Sequence, residues 1–470
     1  MENQNQFKQL ETICASATSG AVSAIGVIRL SGEKAIEILK TAFRTRRGKR
    51  EEFKPSLRPR VRIGYIIGEY KEIIDEVVCT IYHAPRSYTG EDVVEISHHG
   101  SSYVQQQILK RLISLGARMA KEGEFSQRAF LNGKLNLSQT EAVADLIQSR
   151  TAIAHNLAIK QLKGGYQQIL SALRKNLLDL LSLLELELDF SEEDVEFAQR
   201  GTLEILMNDI YLTLESLINS FDMGNAFKNG IPIAIIGKPN AGKSTLFNAL
   251  IKDERAIVSP ISGTTRDTIE ENLILNGIEY RFIDTAGVRK SDDPIEAEGI
   301  RRSFLSVEKA NIIIYVCDVQ EMIPEEAQLD LIQIDEQVSL KDKKIIIVAN
   351  KCDGGNLLSS EEREWKNMGA VKAIAKDQEG ISEIIDRITA IAESSMMNSN
   401  ILMTNARHHE AMQKSANALK TAKENLQASM PIDIISSDIR EALHYLGEIT
   451  GEVTTEEVLG NIFSKFCIGK

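Results

Sequence analysis

Residues 231–253 read IPIAIIGKPNAGKSTLFNALIKD. Ile231 to Ile236 is a short, branched apolar run of the length and composition of a buried parallel strand. The following LFNALIK carries apolar residues at helical spacing. Between them, Gly237, Gly242, Lys243 and Ser244 satisfy G-x-x-x-x-G-K-[ST] in the strand, loop and helix setting that gives the pattern its meaning. Glycines let successive backbone N–H groups curl around phosphate oxygens, and the helix start adds its positive end. The Lys243 ammonium offsets β- and γ-phosphate charge, and the Ser244 hydroxyl is placed to ligate Mg2+. The stretch therefore predicts a P-loop domain on a doubly wound α/β sheet, with Asn240, Ala241, Gly242, Lys243, Ser244 and Thr245 around the phosphates.

Four further stretches follow in the order of a Ras-like GTPase. Gly263-Thr264-Thr265-Arg266-Asp267 places Thr265 to complete the Mg2+ shell and sense the γ-phosphate. The strand IEYRFI ends in Asp284-Thr285-Ala286-Gly287, an outer Mg2+ partner followed by a backbone N–H for the γ-phosphate. The apolar run KKIIIVA ends in Asn350-Lys351-Cys352-Asp353, matching N-K-x-D. A carboxylate there accepts from guanine N1–H and N2–H2, which adenine does not offer, so GTP is expected over ATP. Ile374-Ala375-Lys376 completes the set with an aliphatic residue where Ser or Thr is usual, leaving the Ala375 N–H for the guanine oxygen. Val288 follows Gly287 where Ras carries its water-orienting glutamine, so another group must position the water.

Composition sets the outer limits. A length of 470 residues implies about three domains, and 43% hydrophobic with 26% charged residues is ordinary soluble protein. No apolar run of membrane-spanning length occurs, and MENQNQFKQLE is not a secretory leader, so a cytoplasmic protein off the membrane is expected. Cys14, Cys79, Cys317, Cys352 and Cys467 are scattered without C-x-x-C, which points to free thiols and away from structural zinc. A net charge of −12 argues against a broad nucleic-acid surface. If RNA is the substrate, a partner holds much of it.

Outward from the P-loop, residues 1–120 read as mixed α and β. SAIGVIRLSG, RVRIGYIIGEY and EVVCTIYHAP are expected strands and KAIEILKTAF an amphipathic helix. RTRRGKREEFKPSLRPRVR, residues 44–62, is strongly basic: a solvated loop, or a contact for RNA or a partner. SYTGEDVVEISHHG and EGEFSQRAFLNGKLNL are expected as loops holding polar groups near a pocket. His98-His99 lacks further ligands and is not read as a metal site. From Ser138 the pattern is helical to about residue 225, and it becomes helical again from about 396. A G domain inserted between halves of one helical domain accounts for this, since insertion at an exposed loop is well tolerated. The chain ends Phe466-Cys467-Ile468-Gly469-Lys470, where a thiol beside a cation is either a nucleophile or an inert tail cysteine.

GKPNAGKS, GTTRD, DTAG and NKCD, flanked by GVIRLSG, YTGEDVVEI, GEFSQRAFLNGKLNLSQTEAVADLI and a terminal CIGK, resemble the MnmE (TrmE) family of tRNA-modification GTPases, within the TrmE-Era-EngA-like translational GTPases. The resemblance covers essentially the whole chain. It implies an α+β folate-binding-like dimerisation domain over 1–120 and a helical domain split into 121–225 and 396–470, around a Ras-like domain at 226–395. It implies that K+ is bound by Asn240, Ser259, Ile261 and Thr264, and that Glu296 orients the water. Arg29, Glu95, Lys134 and Lys470 match folate contacts, and Cys467 a catalytic thiol. The implied activity, with the FAD-dependent partner MnmG (GidA), is addition of an aminomethyl or carboxymethylaminomethyl group to C5 of the tRNA wobble uridine. The carbon would come from 5,10-methylene-tetrahydrofolate. A homodimer joining the partner in a heterotetramer is implied too. SHHG and EGEF depart from the family's usual sequence at those loops. G-x-G-x-x-G is absent, so flavin chemistry must come from the partner. A GTP-regulated ribosome assembly factor shares the G motifs and is the competing expectation. Such factors commonly append an RNA-reading module where this chain resumes helices.

Overall fold

The computed structural model describes residues 11–189, 200–258, 271–283, 304–354, 359–397 and 402–464, together with 466, 468 and 469. The chain divides into two compact units. One comprises residues 1–144, 161–170 and 446–470, the other residues 145–160 and 171–445.

The first unit is built on a seven-stranded sheet. Its strands are β1 (Ile13–Ser16), β2 (Ile25–Ser31), β3 (Phe43–Thr45), β4 (Arg60–Ile67), β5 (Ile73–Tyr82), β6 (Val93–His99) and β7 (Arg118–Met119), ordered β3-β4-β5-β6-β2-β1-β7. Alternation in each strand sorts side chains onto two faces. Cys14, Ile28, Leu30, Cys79, Ile81, Val94 and Ile96 form one core with residues of the helices Ala35–Ala42 and Ser102–Ser114. The opposite face carries Ile13 and Ala15, packed with Ala120 and Phe125. SYTGEDVVEISHHG, expected as loop, contains the central strand β6, and EGEFSQRAFLNGKLNL contains the helix Glu124–Leu131. Val94-Glu95-Ile96-Ser97 does alternate, but Glu95 and the histidines mask the pattern. Leu137, Leu459, Ile462, Phe463 and Phe466 pack together near the chain end.

The second unit contains the P-loop sheet. Strands β8 (Ile231–Ile236), β9 (Ala256–Val258), β10 (Glu271–Leu275), β11 (Ile278–Phe282), β12 (Ile312–Asp318), β13 (Lys344–Asn350) and β14 (Val371–Ala373) take the order β14-β13-β12-β8-β11-β10-β9. β8, β11, β12, β13 and β14 run parallel, while β9 and β10 pair antiparallel. Asn276 and Gly277, both with positive φ, make the two-residue hairpin turn between β10 and β11. Both faces of the sheet are covered, as parallel strands require: Ile233, Ile314 and Val348 contribute to one core, Ala234, Ile313 and Trp365 to the other. Chain order reverses at β8, between β11 and β12, which is where open α/β sheets place a ligand crevice.

The predicted helical stretch before the P-loop resolves into Leu137–Gln148, Ala152–Leu162, Gly165–Asp189, Arg200–Asn219 and Phe221–Asn229. Thr151 Oγ1 accepts from Ala154 N at 3.1 Å and starts the second of these, a break the apolar spacing did not reveal. After the P-loop sheet come Ala406–Gln427, Ile432–Thr450 and Glu456–Phe463. No helix among the described residues is long and apolar enough to cross a membrane.

Candidate functional site

The P-loop leaves β8 at Gly237 and enters the helix Lys243–Lys252. Gly237, Asn240 and Gly242 all take positive φ, of 147°, 64° and 94°. Side chains are refused at both glycines: a Cβ on Gly237 would meet the Val316 carbonyl, and one on Gly242 would meet the Asn350 amide. Such backbone reversals turn consecutive N–H groups toward one centre, which suits phosphate oxygens. Lys243 Nζ donates to the carbonyls of Gly237 and Lys238, each at 2.8 Å, so the ammonium sits inside the loop that a phosphate would share. Burial lowers its pKa, a cost that an anion in the loop would offset. Asn240 and Thr245 are exposed, and Ser244 is half-buried in the first helical turn.

Asn350 ends β13 with 2% of its surface exposed. Its Nδ2 donates to Ala241 O at 2.9 Å, and its Oδ1 accepts from Ala375 N at 3.1 Å. One buried amide therefore fastens the phosphate loop to the Ile374-Ala375-Lys376 segment. The Ala375 N–H, expected to face a guanine oxygen, is spent on Asn350 here. Ile374 has no hydroxyl to offer Asn350, whose carbonyl takes the next backbone donor. Lys351 lies in the left-handed region at φ 63°, and its ammonium meets Asp318 Oδ2 at 2.6 Å. Asp318 was missed in the sequence, although it closes the apolar run IIIYVCD at the carboxyl end of β12, on the crevice side. Asp353 and Lys376 are exposed, Asp353 without a hydrogen bond among the described residues. Ser259, Ile261, Thr264, Thr265, Asp284, Thr285, Ala286, Gly287 and Glu296 lie outside the described residues.

A second constellation occupies the first unit. Strand register aligns Ala15, Arg29, Glu95 and Thr80 in one row across β1, β2, β6 and β5. Glu95 Oε1 accepts from Arg29 Nη2 at 2.8 Å and Nε at 3.1 Å. The guanidinium lies 5.2 Å from the Tyr88 ring centre and 5.6 Å from that of Phe125, aromatic contacts that motif reading missed. Sequence reading assigned Arg29 and Glu95 separate contacts; the register makes them partners. Lys134 is exposed and donates to Pro85 O at 2.9 Å. Beneath lies a charge network. Glu124 accepts from Arg118, from Lys121 N and from Arg128, which also meets Glu91 at 3.0 Å. Burial alone would raise the Glu124 pKa, but these donors outweigh it and hold it at about 2.

Cys467 and Lys470 lie outside the described residues, but their neighbours do not. Ile468 pairs with Glu122, and Gly469 lies so close that a Cβ there would meet Ser16 O. Ser16 is adjacent to Ala15, so the terminal segment runs beside the row that holds Arg29. Cys14, Cys79, Cys317 and Cys352 are free; burial pushes Cys14 up to about 11 and Cys79 to about 12, which makes both inert. A cavity of about 430 Å3 with mixed polar and apolar walls lies where Arg150 pairs with Glu279 on β11, and no motif residue lines it.

The family described as GTP-binding protein TrmE N-terminus matches residues 12–134, and that described as MnmE helical domain matches residues 137–467. The tRNA modification GTPase MnmE of Flavobacterium psychrophilum is 43% identical over 463 residues, covering 98% of this chain and 99% of its own. That of Parabacteroides distasonis is 45% identical over 466 residues, covering 98% and 100%. The solved G domain of the T. maritima FeoB iron transporter covers 34% of this chain and 98% of its own at 26% identity, with a TM-score of 0.25, too low to bear on the fold.

Proposed function

The chain belongs to the tRNA modification GTPase MnmE family, and from that premise we propose that it hydrolyses GTP to drive C5 modification of the tRNA wobble uridine, together with the FAD-dependent protein MnmG. The observation that carries the GTPase half is the Asn350 amide joining the phosphate loop to the Ala375 segment. That fastening sets the base-reading carboxylate of Asp353 at a fixed place relative to the phosphates. Backbone N–H groups of residues 240–245 hold the phosphates, and Lys243 trades its carbonyl partners for phosphate oxygens. The glycine cradle, which any Cβ would fill, supports this fit. Ser244 and Thr265 would hold Mg2+, with Asp284 as an outer partner, and Asn240, Ser259, Ile261 and Thr264 would hold K+. When bound, these cations neutralise charge that develops on the transferring phosphoryl group. Glu296 orients the attacking water in place of a glutamine at Val288.

The modifying chemistry belongs to the first unit in this reading. Arg29, Glu95, Lys134 and Lys470 bind the folate, with Tyr88 and Phe125 as the apolar walls beside the guanidinium. Glu95 Oε2, which accepts only a long 3.5 Å bond from the Tyr82 hydroxyl, is the oxygen that would take the amide and amino edge of a pterin. Cys467, next in sequence to Ile468, is the candidate nucleophile. Domain limits follow the four segments 1–120, 121–225, 226–395 and 396–470, within a cytoplasmic homodimer. Val61, Ile63 and Val78 are exposed on β4 and β5, a patch that suits pairing of N-terminal modules. Reconstitution tests the proposal: purified chain, MnmG, methylene-tetrahydrofolate, glycine or ammonia, GTP and an unmodified tRNA transcript should yield a C5-substituted wobble uridine. Product formed equally well without GTP, or without this chain, would refute it.

A further inference from the structure

The basic segment 44–62 is absorbed by neither site. Nine Lys and Arg stand there against two Glu, in a chain of net charge −12. Between β3 and β4, residues 46–59 form no helix or strand. Arg46 pairs with Glu76 and Arg62 with Glu51. Arg47, Lys49, Arg50, Lys54 and Arg58 are exposed and, among the described residues, their side chains make no hydrogen bond or ion pair. Arg44 feels the excess: burial and then the fields of Arg50 and Arg111 lower its pKa. A loop needing only to stay solvated intersperses both signs; this one concentrates one sign.

Its position is also specific. Arg86 Nη1 donates to Leu57 O at 3.4 Å, tying the loop to the connection between β5 and β6. That connection supplies Pro85 O to Lys134 and the Tyr88 ring over Arg29. The loop thus borders the wall of the Arg29–Glu95 row, and its strand β3 lies three positions from β6, roughly 14 Å at ordinary strand spacing.

We propose that residues 46–58 form a phosphate-backbone clamp that positions tRNA beside the Arg29–Glu95 row, an inference that rests on the reading of this chain as a tRNA-modifying protein. Three of the five free cations are arginines, whose planar guanidinium pairs with phosphate in two-point fashion. Phosphate contacts fix register and orientation without reading sequence. A protein partner would call for buried aromatic or aliphatic anchors, and Leu57, 72% exposed, is the one large apolar side chain exposed between residues 46 and 58.

The test uses the full chain carrying Arg47→Glu, Lys49→Glu and Arg50→Glu, none of them in either site. Binding of end-labelled tRNA is followed by fluorescence anisotropy across a KCl series. The triple variant should bind about tenfold or more weakly at 0.1 M salt, with the slope of log Kd against log salt reduced by roughly 3, near 0.9 per phosphate contact. A triple change to Gln should fall between it and wild type. GTP turnover and the thermal midpoint should stay at wild-type values, excluding misfolding. Wild-type affinity and slope in the Glu variant overturn the clamp, as does a wild-type chain whose tRNA binding ignores salt. Unchanged tRNA binding with a weakened MnmG complex would make the loop a protein contact and overturn it too. The parent reading fails separately, when deleting the gene leaves tRNA nucleosides unchanged; the clamp fails alone when that deletion removes the modification and the Glu variant restores it with wild-type tRNA affinity.

Discussion

Asn350 shows how much one side chain decides at the residue scale. Its two hydrogen bonds join loops more than a hundred residues apart, and its burial leaves no water to replace them. Asn350→Ala should therefore cost ~1–3 kcal/mol, the penalty for stranding buried backbone partners, and weaken nucleotide binding while Lys243 stays in place. Urea unfolding and GDP titration read both effects; an unchanged midpoint and affinity would contradict the fastening. N-K-x-D pointed to this residue in the sequence, but its partners depend on where the chain returns in space. Arg29 and Glu95 teach the same lesson, because their pairing follows from strand register, which two isolated motifs do not state. Glu124 makes a pH prediction. Its pKa of about 2 lies below the ordinary 4.5, so its network contributes fully above about 4.5 and fades as pH falls toward 2. The contribution is on the order of 3 kcal/mol at most. Glu124→Gln should lower stability at pH 7 and flatten the acid-side decline, measured by urea unfolding between pH 3 and 7. A decline unchanged by the substitution would remove Glu124 as its source.

At the scale of elements, the strand, loop and helix around Gly237–Ser244 were legible because glycine spacing, an apolar run and helical periodicity agree within one short window. Lys243→Ala should reduce GTP turnover by about 10²- to 10³-fold, the usual loss when one charge-stabilising donor goes; a fall of less than tenfold would move the phosphate contact elsewhere. β6 was not legible, because Glu95 sits mid-strand on a face where apolar residues are usual, and local function outweighs local propensity. The break at Thr151 was hidden for a related reason: a cap needs one hydroxyl and leaves apolar spacing nearly intact. The P-loop also makes a prediction about cations. Asn240 is exposed at φ 64°, on a loop whose other proposed K+ contacts come from 259–264. Turnover should be faster in K+ than in Na+, by an amount bounded by the roughly 10³ to 10⁵ that an arginine contributes in the same role. Asn240→Ala should remove the difference, and equal rates in both salts for wild type would exclude the K+ assignment.

At the scale of the whole molecule, two units each hold one constellation: phosphate-binding motifs in the second, the Arg29–Glu95 row with the terminal Ile468-Gly469 in the first. The helical character of residues 138–189, 200–225 and 402–464 was legible from periodicity. The grouping of 446–470 with the first unit was not, because it depends on Ile468 pairing with Glu122 and Phe466 joining Leu137, contacts spanning most of the chain. A chain that couples GTP hydrolysis to RNA chemistry must need both constellations at once. The most direct test is nucleoside mass spectrometry of tRNA from a deletion strain complemented with wild type, Lys243→Ala or Cys467→Ser. C5-aminomethyl-type uridines should vanish in the deletion, return with wild type and stay absent with Lys243→Ala, while Cys467→Ser reports whether the thiol takes part. A nucleoside profile identical with and without the gene would contradict a role in wobble-uridine modification and leave a GTPase that acts on something other than tRNA modification.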